Sequence, residues 1–391
     1  MQSRSLNKLL WAITSLGLDN ISTISDYSEI PIETARYMIW HELQNHFVSV
    51  GVDIDFGRIG LAQYILQVKK NKQTSQNIMG FLNHGIGLTY LPSTMVSDSI
   101  IAFVAIPENQ SYKLEALLEY LASIKVIQDY SMEKIIFARH VSFDHSLYNF
   151  RKGRWQFDWR DIESIRVNKT VRPPSCPKNY DNQVIDYKDL LILREFQRRV
   201  PRSISKLAGI LECNSFNARY HYNNHAKHAI KGYYLKVIPH SSIDEQSSFL
   251  FVYKSTNGKD LEEARRIALS LPFTTTEWIT EQTYAWFAEC PGEYSNTTFR
   301  YLDRQFQNLN CEGRHFVINS KNDLAHTVPC ELFDQNEGAW NYEPRVSLGG
   351  VIQRGFGFVK STCKYQTSGL CKIDKLNQNK CNLANCSLVM E

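Results

Sequence analysis

The sequence lacks long hydrophobic runs and compact catalytic signatures. Its apolar runs fall well short of the roughly 18 residues that a membrane-spanning helix needs, so no membrane association is predicted. Residues 1–17 contain no continuous apolar core followed by a small-residue cleavage site, and a cytoplasmic protein is therefore expected. No Gly-rich phosphate loop, Gly-x-Ser-x-Gly elbow or His-Glu-x-x-His motif is present, and the chain is predicted not to be an enzyme.

Cysteine is sparse until the C-terminal tail. Nine cysteines are an odd number, which fits reduced thiols better than a secreted disulfide framework. Four thiolates can form a tetrahedral zinc site, and the Cys-x4-Cys spacing in the tail suits one half of such a site. The other half is too widely spaced for a standard zinc knuckle, so another metal, redox sensing and a basic tail without metal are the alternatives. The four candidate ligands are Cys363, Cys371, Cys381 and Cys386.

A faint internal repeat divides the chain. Residues 21–37 match residues 204–220 without a gap, with six of seventeen positions identical, at an offset of 183. Residues 147–157 match residues 332–342 at an offset of 185. Two distant matches at nearly one offset indicate duplication of a whole domain pair rather than a solenoid repeat. The length of 391 residues agrees, since it exceeds what one hydrophobic core usually organises.

Each copy begins with a pattern of three short helices. In residues 6–13, leucine and isoleucine recur at helical spacing, and Gly17 follows where a helix would stop. A second helix covers residues 21–27, and Pro31 marks the start of a third helix that extends to about Asn45. The second copy repeats the pattern from residue 190, and its third helix is predicted from about Asn214 to His228. This order is typical of a helix-turn-helix.

Strand-like alternation follows each helical segment. Residues 48–54 alternate as the wing of a winged helix would. The predicted order beyond it is β-α-β-β-α-β, the ferredoxin-like order. In the first copy, the elements fall at residues 61–68, 75–82, 86–106 (a hairpin), 114–124 and 134–141. In the second copy, they fall at residues 249–253, 260–271, 274–288 (two strands), 295–309 and 316–318. The predicted fold class is α+β, with two repeats of a winged helix-turn-helix and a ferredoxin-like domain.

This combination resembles the leucine-responsive regulator family, also called Lrp/AsnC or feast/famine regulators. The resemblance rests on Thr34–Leu43, Val52–Asp55 and Ile59–Leu61, and residues 147–159 are similar to the aromatic-rich tails of large tandem archaeal members. It implies a transcriptional regulator that binds double-stranded DNA and pairs through its ferredoxin-like domains, between which a small-molecule effector binds. Because two copies are fused here, it also implies an intrachain pseudo-dimer, and whether chains pair further stays open.

Domain boundaries follow from the repeat. The predicted ranges are 1–57 for the first winged helix-turn-helix, 58–159 for the first ferredoxin-like domain, 160–186 for a linker, 187–240 for the second winged helix-turn-helix, 241–345 for the second ferredoxin-like domain and 346–391 for a Cys/Lys-rich tail. Three prolines at 173, 174 and 177 predict an extended, semi-rigid linker.

The two helical segments differ in charge. Arg4–Val50 holds three Lys/Arg against five Asp/Glu, a net of −2, whereas Tyr187–Gly232 holds nine against three, a net of +6. DNA binding draws much of its affinity from phosphate neutralisation, so the second segment is predicted to be the DNA contact. The first segment is predicted either to read bases weakly or to serve as an interaction or structural module.

The predicted DNA contacts fall into two groups. Basic residues around the first turn and the second helix would meet phosphates, namely Arg198, Arg199, Arg202 and Lys206. The start of the third helix would reach base edges in the major groove with Asn214, Ser215, Asn217, Arg219, Tyr220 and His221. As alternatives, the charges form a solvated face and Tyr220 packs between helix and wing. His221 and His225 have metal-ligand spacing, which chance accounts for in a helix rich in His and Asn.

Three functions stay open at this point. The first is a sequence-specific DNA-binding regulator. The second is a siroheme-decarboxylase-like enzyme, which has a similar architecture of two fused units and keeps its helix-turn-helices as vestiges. The third is an interaction module that docks on the transcription machinery through the acidic first segment. No cofactor is assigned apart from zinc in the tail.

Overall fold

The computed structural model describes residues 2–18, 20–45, 48–71, 87–92, 98–168, 185–198, 200, 203–237, 246–318, 324–325, 327–342, 346–347 and 387–388. These residues form a mixed α+β fold with antiparallel sheets, which confirms the predicted fold class. None of the helices in these ranges combines the length and the apolar character that a membrane crossing requires.

The first helical segment consists of α1 (Gln2–Leu16), α2 (Ile21–Ser28) and α3 (Ile32–Tyr37). The predicted third helix extends to Asn45 as expected, but its middle is a five-residue π turn, Met38–Glu42, followed by a last turn, Leu43–Asn45. The predicted wing is strand β1 (Val48–Ile54).

The first ferredoxin-like domain follows. Its elements are β2 (Leu61–Lys70), β3 (Leu88–Leu91), β4 (Ser99–Pro107), α4 (Ser111–Ser123) and β5 (Ile127–Lys134). The helix predicted at residues 75–82 lies outside the described residues. The strands are ordered β3-β4-β2-β5, which is the ferredoxin-like arrangement, and strand β5 was not predicted from the sequence.

Residues 134–168 differ from the prediction. Instead of one strand over 134–141, the chain ends β5 at Lys134 and begins β6 (Phe137–His140). A short hairpin of β7 (Tyr148–Asn149) and β8 (Arg154–Trp155) then leads into α5 (Trp159–Asn168). The predicted linker therefore starts with a helix, because Ile162 is fully buried and Trp159 packs against Tyr301.

The second helical segment consists of α6 (Tyr187–Arg198), α7 (Ile204–Ile210) and α8 (Ser215–Asn224), with the wing strand β9 (Ile230–Val237). Helix α8 ends four residues before the predicted end. His225 leaves the helical region with φ −127° and ψ −73°, and Ala226–Ala229 continues as a 3-10 turn.

The second ferredoxin-like domain contains β10 (Gln246–Lys254), α9 (Gly258–Ser270), β11 (Thr274–Ile279), β12 (Thr283–Pro291), α10 (Gly292–Phe306) and β13 (Glu312–Ile318). Its strands are ordered β13-β10-β12-β11, the arrangement that the β-α-β-β-α-β pattern predicts.

The remaining strands are β14 (Leu324–Ala325), the hairpin β15 (Phe333–Asp334) with β16 (Ala339–Trp340), and the pair β17 (Val346–Ser347) with β18 (Ser387–Leu388).

The two helical segments agree position by position at the offset of 183. The buried Leu9, Leu10 and Ile13 of α1 correspond to the buried Ile192, Leu193 and Phe196 of α6. The N-cap residues Asn20 and Ser203 correspond, and so do Glu29 and Glu212, which both adopt the left-handed conformation before the third helix. Ala35 and Ala218, both fully buried, hold the same place on the third helix.

The two wings form one antiparallel ribbon. Strand β1 pairs with β9 from Val48↔Val237 to Ile54↔Ile230. At the centre of this register, Gly51 faces Tyr234, and these two residues are equivalent at the offset of 183. From Ser49↔Lys236 to Asp53↔Gly232 the residues on either side pair symmetrically, so this part of the ribbon has a local two-fold axis, and a register shift after Asp53 breaks the symmetry at Ile54↔Ile230.

The described chain divides into two compact units that do not follow the sequence order. One contains the described residues of Met1–Leu61 and Lys134–Asp323, and the other contains those of Ala62–Leu91, Ser97–Glu133 and Leu324–Glu391. Within the first unit, β6 of the first copy extends the second copy's sheet by pairing with β11. Within the second unit, β14 of the second copy extends the first copy's sheet by pairing with β3.

The aromatic hairpins are exchanged in the same way. In the first unit, Trp155 of the β7–β8 hairpin packs edge-on against Phe273, and Tyr294 Oη donates to the Trp155 carbonyl at 3.3 Å. In the second unit, Gln110 Nε2 donates to the Trp340 carbonyl and Lys113 Nζ to the Tyr342 carbonyl, each at 3.0 Å. Each ferredoxin-like domain thus receives a strand and a hairpin from the other copy.

Candidate nucleic-acid interface

Helix α8 is built as a separate, well-capped element at the surface of the second helical segment. Asn214 is its N-cap, with the side-chain oxygen accepting from the Asn217 backbone N–H at 2.8 Å. Its inner face is fixed by the fully buried Ala218 and by Tyr222, whose ring stacks on Phe196 with centroids 5.2 Å apart. The preceding turn passes through Glu212 at φ 50°, a left-handed conformation that favours glycine.

The outer face of α8 is polar and aromatic. Ser215, Asn217, Arg219 and Tyr220, all predicted as base-reading residues, are exposed along it. Asn214 is exposed too, although its side-chain oxygen is committed to the cap. Helical spacing adds exposed residues that the sequence analysis missed, namely Phe216, Asn223 and Asn224.

Phe216 is the most unusual of these residues. It is 78% exposed, more than any other large hydrophobic side chain in the described part of the chain, and Tyr220 one turn later is 51% exposed. An exposed apolar side chain on a helix that also presents Arg and Asn is suited to contact the methyl group of thymine. The spacing of four residues between Phe216 and Tyr220, which places both side chains on one face of the helix, was the sequence signal for this exposed pair.

Positive charge lies on all three helices of this segment. Arg198 is exposed at the end of α6, where it pairs with Glu195 at 3.0 Å. Lys206 in the first turn of α7 and Arg219 on α8 are exposed, and neither forms an ion pair within the described ranges. The predicted phosphate contacts Arg199 and Arg202 lie outside the described residues, as do the tail cysteines Cys363, Cys371, Cys381 and Cys386.

His221 points in another direction. Its Nδ1 lies 2.9 Å from Asp189 Oδ1 on α6, and its side chain is only 15% exposed. Burial raises the pKa of the Asp189 carboxyl, and the hydrogen bond from the imidazole counteracts that effect in part. The structure therefore places His221 between α6 and α8 rather than in the exposed row with Arg219, because it lies three residues after the buried Ala218.

The equivalent face of α3 in the first copy has a different chemistry. Glu33 takes the place of Phe216 and forms an ion pair with Arg36, the counterpart of Arg219. Tyr37 stacks on His41 with centroids 5.3 Å apart. An open cleft of about 300 Å³ is lined by Glu33, Arg36, Tyr37, Trp40 and His41. Arg36 is thus neutralised at the position where Arg219 is available.

Comparisons with known proteins identify related folds at low sequence identity. No protein-family model matches the sequence, and no curated protein does. Two crystal structures of the siroheme decarboxylase NirDL, one in co-complex with an iron-uroporphyrin III analogue, each cover 82% of this chain and 92% of their own. Their identities are 11% and 12%, and their TM-scores are 0.43 and 0.42.

A regulator also matches, over a smaller part of the chain. The leucine response regulatory protein LrpA of Mycobacterium tuberculosis covers 34% of this chain and 91% of its own, at 12% identity and a TM-score of 0.24. At such identities, the likeness in both cases concerns the fold. The prediction that the chain is not an enzyme is wrong, because the solved structures that match over most of it are those of a decarboxylase.

Proposed function

We propose that this chain binds double-stranded DNA in a sequence-specific manner through the outer face of α8 and acts as a regulator of transcription. The observation that carries the proposal is the exposed row of Asn217, Arg219 and Tyr220, with Phe216 at its centre, on a capped helix in a segment of net charge +6.

Phosphate attraction supplies the affinity in this proposal. The chain as a whole carries a net charge of only +4, so the +6 of the second helical segment is a local concentration of positive charge. Each phosphate neutralised by Lys206 or a neighbouring arginine releases condensed counterions, and the affinity then falls steeply with salt.

Base contacts supply the specificity. A guanidinium such as that of Arg219 pairs with the O6 and N7 atoms of guanine, and an amide such as that of Asn217 pairs with adenine. Phe216 adds an apolar surface for a thymine methyl group. His221 is not part of this set, because its Nδ1 is occupied by Asp189.

The first copy serves a structural role in the proposal. Its segment has a net charge of −2, and Glu33 neutralises Arg36 on the face that would meet DNA. One chain then contacts a single half-site, and a palindromic site would require two chains. In this scheme each ferredoxin-like domain is completed by elements of the other copy, and a small-molecule effector is a further ligand.

A matched pair of variants tests the proposal. Genomic fragments selected by the wild-type chain are titrated in mobility-shift assays over a salt series, with Arg219→Ala and its first-copy counterpart Arg36→Ala. We expect Arg219→Ala to weaken binding by about 1–3 kcal/mol and Arg36→Ala to leave it unchanged. Lys206→Ala should reduce the slope of log K against log salt by about 0.9.

Two results would contradict the proposal. One is an absence of any DNA complex with the wild-type chain at about 50 mM salt, where phosphate contacts are strong. The other is an equal loss of affinity in Arg36→Ala and Arg219→Ala. The first result would turn attention to the enzyme alternative, tested by titrating the chain with siroheme and recording its absorbance.

A further inference from the structure

A compact group of carboxylates and imidazoles lies between the start of α6 and the middle of α8. Ligand-type atoms of Asp186, Asp189 and His221 all lie within 4.8 Å of one another. His221 Nδ1 is 2.9 Å from Asp189 Oδ1 and 3.5 Å from Asp186 Oδ2. His225, one turn further along the chain, has its Nδ1 3.9 Å from Asp189 Oδ2.

The backbone at the start of α6 holds both carboxylates in place. Asp189 N–H donates to Asp186 Oδ1, and Asp186 N–H donates to Asp189 Oδ2, each at 3.0 Å. This reciprocal arrangement is a capping box, and it uses one oxygen of each carboxylate. The other oxygen of each carboxylate faces the same atom, His221 Nδ1.

The hydrogen bonds within this group leave some of its polar atoms without a partner in the described part of the chain. One imidazole N–H can satisfy Asp189 Oδ1, but it cannot also satisfy Asp186 Oδ2 at 3.5 Å. His225 Nδ1 is shielded from solvent and has no hydrogen-bond partner in the described part of the chain. A buried polar atom without a partner is costly and calls for an explanation. A bound cation would satisfy the two oxygens and the nitrogens together.

The first copy shows that the fold does not need this polar group. The positions of Asp189 and His221 correspond to Leu6 and Met38, which are both buried in the first helical segment. These positions on the first and third helices are therefore occupied by buried apolar side chains in one copy. In the second copy they are occupied by an ionisable pair, which is costly to bury unless a function or a ligand compensates.

We propose that Asp186, Asp189 and His221 bind a divalent transition-metal ion of the zinc class, with His225 as the nearest further donor. Zinc takes imidazole nitrogens and carboxylate oxygens at about 2.0–2.2 Å in a tetrahedron, which places ligand atoms roughly 3.3 Å apart. The separations of 2.9 and 3.5 Å around His221 Nδ1 bracket this spacing. The hydrogen bonds of the capping box orient the carboxylates, as outer-shell partners of metal ligands do.

The position of the site has a structural consequence. The metal would fasten α8 to the start of α6 on the side opposite Phe216, while the half-exposed Asp186 leaves a route for the ion from solvent. Metal binding of this kind does not depend on DNA binding, so it can be tested with the metal alone.

The test uses Co²⁺ as a spectroscopic probe and Zn²⁺ as competitor. The reference protein is the full chain with Cys363, Cys371, Cys381 and Cys386 changed to serine, because tail thiolates bind the same ions. One variant carries Asp189→Leu with His221→Met, the residues of the first copy at these positions. A second variant, Asp186→Asn, keeps the side-chain shape and the capping oxygen. His41→Ala is the control for an exposed histidine on the first copy.

We expect the reference protein to bind one Co²⁺ with the visible absorption of nitrogen and oxygen ligation, and Zn²⁺ to displace it. The double variant should lose this binding, and Asp186→Asn should weaken it by at least about 10-fold. His41→Ala should bind as the reference does. Zn²⁺ should raise the Tm of the reference and not that of the double variant.

Two outcomes would overturn the proposal. One is a reference protein that shows no Co²⁺ spectrum and no Zn²⁺-dependent Tm shift up to millimolar metal. The other is unchanged affinity in the double variant, which would place the ion elsewhere. If the double variant fails to fold by circular dichroism, Asp186→Asn decides in its place, and unchanged Co²⁺ affinity there equally overturns the site.

Discussion

At the scale of single residues, Glu277 on β11 is a buried carboxylate held by two arginines. Its side chain is fully buried, and Arg265 of α9 donates two hydrogen bonds to it at 2.8 Å. Arg139 of β6 donates a third at 2.6 Å. Burial acts to raise the pKa of the Glu277 carboxyl, but these arginines outweigh burial and hold the pKa below its ordinary value of 4.5.

Replacing Glu277 by Gln should be strongly destabilising. The change removes the charge that compensates the buried Arg265, and breaking a buried ion pair from one side costs about 3–5 kcal/mol. Urea unfolding of Glu277→Gln against wild type measures this loss. Glu312→Gln is the control, because the Glu312–Arg314 pair is exposed and should contribute less than about 1 kcal/mol. A loss below 1 kcal/mol in both variants would contradict the prediction.

The same carboxylate should make stability depend on acid pH. A pKa that is lower in the folded than in the unfolded chain contributes stability above the unfolded value of 4.5, and this contribution is lost as pH falls through the folded pKa. Wild type should therefore lose stability below about pH 4.5 more steeply than Glu277→Gln. Denaturant titrations at pH 6 and at successively lower pH compare the two slopes. Parallel slopes would show that Glu277 is not the responsible group.

At the scale of elements, the β1–β9 ribbon depends on a single close approach. Gly51 lies opposite Tyr234, and a Cβ at position 51 would come within 2.2 Å of the Tyr234 ring. The ring crosses over Gly51 and stacks on His140 with centroids 4.2 Å apart. The Nδ1 atom of His140 in turn lies 2.6 Å from Asp53 Oδ1 on β1. Glycine is thus required at position 51, opposite the Tyr234 ring.

Gly51→Ala should destabilise the chain by about 1–3 kcal/mol, the usual cost of forcing volume into a packed site. Gly232→Ala in the partner strand is the matched control, since no atom lies within 4 Å of its added Cβ. In a Tyr234→Ala background, the Gly51→Ala change should cost much less, because the clashing ring is absent. Thermal unfolding of the single and double variants measures this coupling, and additive losses would contradict it.

Elements with a periodic pattern could be predicted from the sequence, and elements fixed by distant contacts could not. The three-helix segments follow from apolar spacing and from caps such as Asn20 and Asn214. Several strands follow from the alternation of apolar and polar residues, and their order in each sheet follows from the β-α-β-β-α-β succession. The π turn Met38–Glu42 has no comparable signal, because it changes a hydrogen-bond register without changing composition.

In the candidate site, too, the features with a local sequence pattern could be predicted and those set by distant contacts could not. The net charge identified the second helical segment as the predicted DNA contact. Position at the start of the third helix identified Asn217, Arg219 and Tyr220, which the structure places on the exposed face. The contact between His221 and Asp189, which are 32 residues apart in sequence, was not predicted, because local patterns carry no information about such a distant partner. Phe216 was missed because exposed phenylalanine runs against the usual distribution of apolar residues.

At the scale of the whole molecule, the two halves of the chain complete each other. Wing β1 pairs with β9, and β6 pairs with β11, in one compact unit. Strand β14 pairs with β3 in the other. Each of these pairs joins a strand from before residue 168 to a strand from after residue 185. Strands of two to four residues, such as β14 and β6, carry too little pattern to predict such partners from the sequence.

The exchange predicts that the chain can be divided without losing its fold. We expect co-expressed fragments 1–168 and 185–391 to form a 1:1 complex, because strand edges of each pair with strands of the other in the described part of the chain. Each fragment alone should aggregate, remain unfolded or pair with itself through the two-fold of β1 or β9. Size-exclusion chromatography with light scattering and circular dichroism compares the complex with the intact chain. Two separately folded monomeric fragments would show that the exchanged strands contribute little, and the intrachain pairing would then be dispensable.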